Sequence, residues 1–322
     1  MNEVLVCQTP IKTAVLFLVF NRPDTTKQVF EAIRLAKPPR LYVAADGARQ
    51  GLEGEAVLVE LVRQIVSEVD WPCEVKTLFR ENNLGCKIAI SSAIDWFFQN
   101  EEQGIILEDD CLPCNDFFRF CGQMLNDYRL DTSIGMIAGF NPQGPGLISN
   151  EYFASSNSSI WGWATWRDRW AYYDIGMTDW KNSEIKKRLR NNITLKAYLY
   201  YKLSFDLVTK EILNTWDHQW TFCLLNRNCK TIKPLANLIK NIGTHGTHAV
   251  GEDLNHNVPH GSLLNGELIR NDIVGCVQDT RFFKRQIPNI FYMLLKHLLH
   301  VTGLYIYARS IHHRVNVALG RY

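Results

Sequence analysis

Hydrophobic positions in the first 140 residues form short solid runs separated by amphipathic stretches. Residues 14–20 (Ala-Val-Leu-Phe-Leu-Val-Phe) are continuously apolar, as expected of a parallel strand buried on both faces. Asn21-Arg22-Pro23 breaks the run, and Asp24 stands where an N-cap would open a helix carrying Val29, Phe30 and Ile33. Residues 41–45 predict a second strand, closed by Asp46-Gly47. Leu58, Leu61, Val62, Ile65 and Val69 recur at helical spacing. Residues 74–79 predict a third strand, 80–85 a loop with turn chemistry, and 87–98 a helix. A fourth apolar run, 104–107, ends in Glu108-Asp109-Asp110, followed by a predicted helix over 116–128 and a strand over 135–139. Strand and helix in alternation imply a doubly wound, mainly parallel α/β sheet.

The second half is less regular. Residues 141–150 are a Pro/Gly-rich loop, and 160–170 hold Trp161, Trp163, Trp166 and Trp170. Residues 184–213 read as mostly helical, Trp216-Asp217-His218-Gln219-Trp220 opens another helix, and 241–260 reads as a loop. An apolar run over 287–308 is interrupted by Lys296, His297 and His300 and flanked by further basic residues. It fits a helix docked on the domain, or one lying on anionic lipid. The division expected is 1–283 as one domain, with halves 13–140 and 141–283, and 284–322 as a basic amphipathic helical tail.

The acid triplet is the chief chemical signal. Adjacent carboxylates disfavour one another's ionised form unless a cation or ligand neutralises them. Mg²⁺ and Mn²⁺ are usually shared between one or two carboxylates and substrate phosphates, and open α/β sheets bind ligands beyond the carboxyl ends of their strands. The triplet therefore suggests a metal–diphosphate site, with a solvated acidic turn as the alternative.

Composition narrows the field. The 322 residues are 46% hydrophobic and 21% charged, with net charge +2, so no global field argues for nucleic acid. Nine cysteines at irregular spacing fit reduced thiols, and Cys111-x-x-Cys114 lacks the second pair of a structural zinc site. The N-terminus lacks a signal peptide's basic and apolar regions, and no run approaches the ~20 apolar residues of a spanning helix. A cytoplasmic protein, possible peripheral contact with the inner membrane included, is expected.

Together these segments resemble bacterial nucleotide-sugar glycosyltransferases of the GT-A fold, distantly akin to N-acetylglucosaminyltransferases and sometimes labelled hemolysin-like. The resemblance runs over roughly residues 13–253, and Glu108-Asp109-Asp110 matches the E-D-D variant of the fold's acidic motif. It implies that Asp110 holds Mn²⁺ or Mg²⁺, that Glu108 and Asp109 contact the ribose or donor sugar, and that Asn21 and Arg22 begin the nucleotide pocket. It further implies that Asp46 accepts from uracil N3–H, which favours a UDP-sugar. Asn83-x-Gly85-x-Lys87 resembles the loop before the acidic strand, making Lys87, with Arg80, a donor-side cation. The 160–166 segment resembles the lining of the sugar pocket, with Trp163 its functional member, though tryptophans also serve as plain core. Asp217 matches the catalytic base of an inverting enzyme, although an Asp there also suits an N-cap. His248, with His245 as the spare, would complete the metal shell. The activity implied is hexosyl or N-acetylhexosaminyl transfer to a glycan or glycolipid acceptor in surface polysaccharide synthesis. Two rivals are a sugar-nucleotide nucleotidyltransferase and a membrane-active lipid-binding protein. The first usually carries a Gly-rich loop where this chain has Asn21-Arg22-Pro23-Asp24.

Overall fold

The computed structural model describes residues 11–243 and 258–286, with 291, 295, 298, 299 and 302–304 beyond them. The chain opens with β1 (Ala14–Val19), α1 (Pro23–Ala36), β2 (Arg40–Ala45), α2 (Glu55–Ser67), β3 (Glu74–Phe79), α3 (Gly85–Asn100) and β4 (Gln103–Glu108). These four strands are parallel and lie in the order β3-β2-β1-β4. The first crossovers lead away from β1 on one side, and the chain then returns to its other side for β4. That reversal opens a crevice at the carboxyl ends of β1 and β4, where such sheets bind ligands.

After β4 come β5 (Cys111–Pro113), α4 (Asn115–Asp127), β6 (Ile134–Ala138), β7 (Glu151–Ser155) and β8 (Trp163–Trp166). Then follow α5 (Arg167–Trp170), α6 (Ser183–Asn192), α7 (Leu195–Thr209), α8 (Asp217–Asn226), β9 (Lys230–Pro234), β10 (Ile239–Asn241), β11 (Ile269–Arg270) and α9 (Asp272–Gln286). β8 runs antiparallel between β4 and β6, and β9, β7 and β11 extend the same sheet to nine strands. Five of its eight pairings are parallel, so the expected mainly parallel α/β sheet is present. β5 and β10 form a separate antiparallel ribbon beside it.

Side chains alternate along β1. Val15, Phe17 and Val19 enter one core with α1, α2 and α4, while Ala14, Leu16 and Leu18 enter another with α3, Trp163, Trp216 and Trp220. Both faces are covered, which is why this strand reads as one apolar run. A third core joins α6, α7 and α8 through Leu189, Tyr201, Phe205 and Phe222. Gly162 makes a close approach possible, because its φ of +62° is left-handed and a Cβ there would lie 2.3 Å from Ile239 Cδ1.

Several local expectations change. Helix α1 starts at Pro23, with Arg22 rather than Asp24 at the N-cap and Pro at N1. Helix α2 buries Val59, Val62 and Val66, leaving Leu58 and Leu61 exposed; the inward stripe lies a residue over from the expected one. The long helical stretch after residue 183 divides in two, since Thr194 caps α7 by accepting from the Ala197 N–H at 3.3 Å. The eight cysteines among the described residues are free thiols.

Candidate active site

The loop after β1 places Arg22 against the acids at the end of β4. Its backbone is pinned first: the Arg22 carbonyl accepts from the Thr26 N–H at 3.0 Å and the Thr26 hydroxyl at 2.7 Å, opening α1. Its guanidinium then spans both aspartates. Nη2 and Nε donate to the two oxygens of Asp109, and Nη1 donates to Asp110 Oδ2 at 2.7 Å. The side chains of Asp109 and Asp110 are 4% and 17% exposed, against 29% for Arg22. Such a bidentate fork is the strong form of an ion pair, and removing one partner strands a buried charge.

Charge in the triplet is unevenly held. Burial pushes the Asp109 carboxyl up to about 6, opposed by Arg22 and a Phe20 backbone N–H and reinforced by Asp110. Glu108 makes no such fork. Burial, then the charges of Asp110 and Asp109, hold it well above the ordinary carboxylate range, with Arg22 opposing and Asp217 adding to the rise. Such a rise favours the protonated form over the carboxylate.

Asp217 is thereby brought, from 107 positions further along the chain than Asp110, into the field of the triplet. It is half-buried at the first position of α8 and accepts from the Thr215 hydroxyl. Cys86, in the first turn of α3, reports the same convergence. Burial pushes its thiol up to about 12, and Glu108, Asp217 and Asp46 each push it further in that direction. Tyr173 closes this side, its hydroxyl donating to the Trp216 carbonyl at 3.2 Å. Neither Cys86 nor Tyr173 carried a motif in the sequence; only the fold brings them here.

The donor-side residues divide by what they touch. The Asp46 carboxylate accepts from the backbone N–H groups of Gly47 (3.0 Å), Leu84 (3.0 and 3.1 Å) and Gly85 (3.1 Å). It therefore anchors the start of α3, a position where a carboxylate also meets the helix dipole. The Asn83 amide supports this turn by donating to the Gly47 carbonyl at 2.8 Å. Arg80 lies along the same helix, donating to Ser92 Oγ at 2.8 Å. Lys87 is half-buried in the first turn of α3. The Asn21 amide donates to Glu55 at 2.8 Å, and Glu55, 5% exposed, is gripped by Arg49. That network ties the β1 exit to the start of α2, and no local pattern in the sequence pointed to Glu55.

Trp163 does not line an open pocket. It is fully buried, with ring centroids 5.9 Å from both Trp216 and Trp220 and 6.1 Å from Trp170. Its position on β8, between β4 and β6, sends the indole into the core, where it supports the residue preceding Asp217. His245 and His248 lie outside the described residues. The chain leading to them passes the site, since Ile242 N–H donates to the Asp110 carbonyl at 2.9 Å. A Cβ on Gly243 would lie 2.6 Å from Asp110 Oδ2.

The donors suit a hard dication in kind, since carboxylate oxygens stand at the crevice mouth. In number they are few. Among the described residues no group of three His, Cys, Asp or Glu side chains converges on one point, and Arg22 engages Asp109 fully. Asp110 is the carboxylate that remains partly open, an arrangement that suits a cation shared with substrate phosphates rather than an all-protein cage.

No protein-family profile matches the chain, and no curated protein does. Among solved structures, similarity is found to HddC from Yersinia pseudotuberculosis, at 9% identity and TM-score 0.29, over 48% of this chain and 77% of that one. An apo UDP-glucose pyrophosphorylase gives 11% identity and TM-score 0.34, over 69% and 90%. A UDP-glucose pyrophosphorylase complexed with UDP-glucose gives 12% identity and TM-score 0.24, over 43% and 63%. Likeness this low carries no argument about function, which rests on the site itself.

Proposed function

We propose that this chain is an inverting glycosyltransferase that moves a sugar from a UDP-sugar to a hydroxyl of a glycan or glycolipid acceptor. The reading is carried by Asp217, at the start of α8, lying close enough to Glu108 at the end of β4 to push its carboxyl up. A carboxylate at the head of α8, a raised carboxyl at the end of β4 and the Arg22-gripped aspartates are three groups that sugar transfer uses.

The Asp217 carboxylate removes the proton of the acceptor hydroxyl as its oxygen attacks the anomeric carbon. The bond from that carbon to the phosphate oxygen breaks, and UDP leaves with the electron pair. Glu108 donates a hydrogen bond to a hydroxyl of the donor sugar. Arg22, partly open to solvent beyond its two aspartates, opposes the charge that grows on the diphosphate. Asp110 would hold a divalent cation, Mn²⁺ or Mg²⁺, whose chemistry there is Lewis-acid stabilisation of the leaving diphosphate.

A thermal-shift screen of nucleoside diphosphates with and without Mn²⁺, followed by product analysis with a UDP-sugar panel, tests this. Selective stabilisation by UDP and release of UDP are expected. Formation of UTP from UDP-sugar and pyrophosphate would instead identify a nucleotidyltransferase.

A further inference from the structure

We infer that the C-terminal face of this chain docks on an anionic lipid surface. Residues 281–322 contain seven Lys or Arg and no Asp or Glu, so the preceding 280 residues carry a net charge of −5. Along the sequence, cations are thus concentrated after residue 280 and acids before it. An anionic bilayer attracts such a cation-rich segment.

Shape follows charge. Helix α9 packs its inner side on β7, where Gly275 approaches the Ala154 carbonyl so closely that a Cβ would lie 2.8 Å from it. Phe283 turns inward to Tyr201 at 5.8 Å. Its outer stripe bears Ile273 at 82% exposure and Val277 at 44%, then Arg281 and Lys284. A shallow depression of about 440 Å³ lies between Val277, Thr280, Arg281 and Lys284. Further along, Leu295 and Leu298 are 50% and 60% exposed, with Lys296 between them in the sequence. Exposed apolar side chains beside lysines and arginines, with Asp272 at the far end of the stripe paired to Arg270, fit a headgroup–acyl boundary, where the cations meet phosphates and the leucines reach hydrocarbon. Among the described residues no helix is long and apolar enough to cross a membrane. A second copy of the chain would bring like charge against like, and a nucleic acid would leave the leucines in water.

The full-length protein is tested by sedimentation with phosphatidylcholine vesicles, with and without phosphatidylglycerol. Binding is expected to anionic vesicles alone and to weaken as salt rises. Arg281→Glu with Lys284→Glu, both on the outer stripe, should lower partitioning about tenfold or more. Leu295→Asp with Leu298→Asp should do the same. Circular dichroism checks that each variant is folded, and the exposed Leu130→Asp, elsewhere on the surface, should change nothing. Equal binding to neutral vesicles, or anionic binding unmoved by both double variants, overturns the proposal. So does binding to heparin without binding to vesicles, or a dimer that the leucine variants dissociate. None of these measurements uses donor turnover, so they stand apart from the transferase reading.

Discussion

Arg22 and Asp109, 87 residues apart in the chain, close on each other in a two-pronged ion pair across the boundary between β1 and β4. The pair joins the exits of two adjacent parallel strands at the point where the sheet's winding reverses. It sets the local electrostatics, because the guanidinium is committed to Asp109 and Asp110 and only partly offsets the burial of Glu108.

Arg22→Gln should therefore destabilise the protein by about 3–5 kcal/mol, since it strands a buried carboxylate. Thermal melts in EDTA should show the loss. Mn²⁺ together with UDP should restore part of it if a dication takes over neutralising the acids. A variant that melts like the parent would show that the pair contributes nothing.

Asp217→Asn should lower kcat by about 10²–10⁴-fold, while KM for the donor changes little, because a base acts in the transition state. Steady-state kinetics of UDP release measure both. An unchanged kcat removes Asp217 from the mechanism.

Asp46→Ala separates two roles for that carboxylate. Three backbone N–H groups lose their acceptor, so stability should fall by about 1–3 kcal/mol, and α3 should loosen. Loss of UDP affinity with an unaltered melting point would instead mark Asp46 as a base-contacting residue alone.

Lys233, on the inner strand β9, gives a pH signature. Burial lowers its ammonium from the ordinary 10.5 to about 8, with Asp279 working the other way. Between those values the unfolded chain holds a proton that the folded one has released, so this group makes stability rise with pH from about 8 towards 10.5. Below pH 8 both states are charged and the burial penalty of about 3 kcal/mol is present in full. Denaturant melts at pH 7 and 10 should show the rise in the parent, and Lys233→Met should flatten it.

Strands β1, β2 and β4 were legible because each is a largely apolar run between breakers, as burial on both faces requires, whereas β3, at the sheet edge, mixes charged and apolar residues and was marked by the turn chemistry after it. The triplet was legible for the opposite reason: charge at the end of such a run has to be answered by something. Trp163 was misread, since an indole beside a glycine suits a sugar pocket and a core equally, and only the antiparallel placement of β8 decides for the core. The direction of Asp46 was hidden too, because its partners Leu84 and Gly85 donate through backbone N–H groups, which every sequence possesses.

Local order along the chain determined the alternation of elements, the buried strands and the acids waiting at the end of β4. Tertiary structure alone decided which cation answers those acids and which distant carboxylate joins them. Arg22 meets Asp109 and Asp110, and Asp217 comes into the field of Glu108, through strand order and helix entry, and such contacts depend on distances in space that spacing along a chain does not encode.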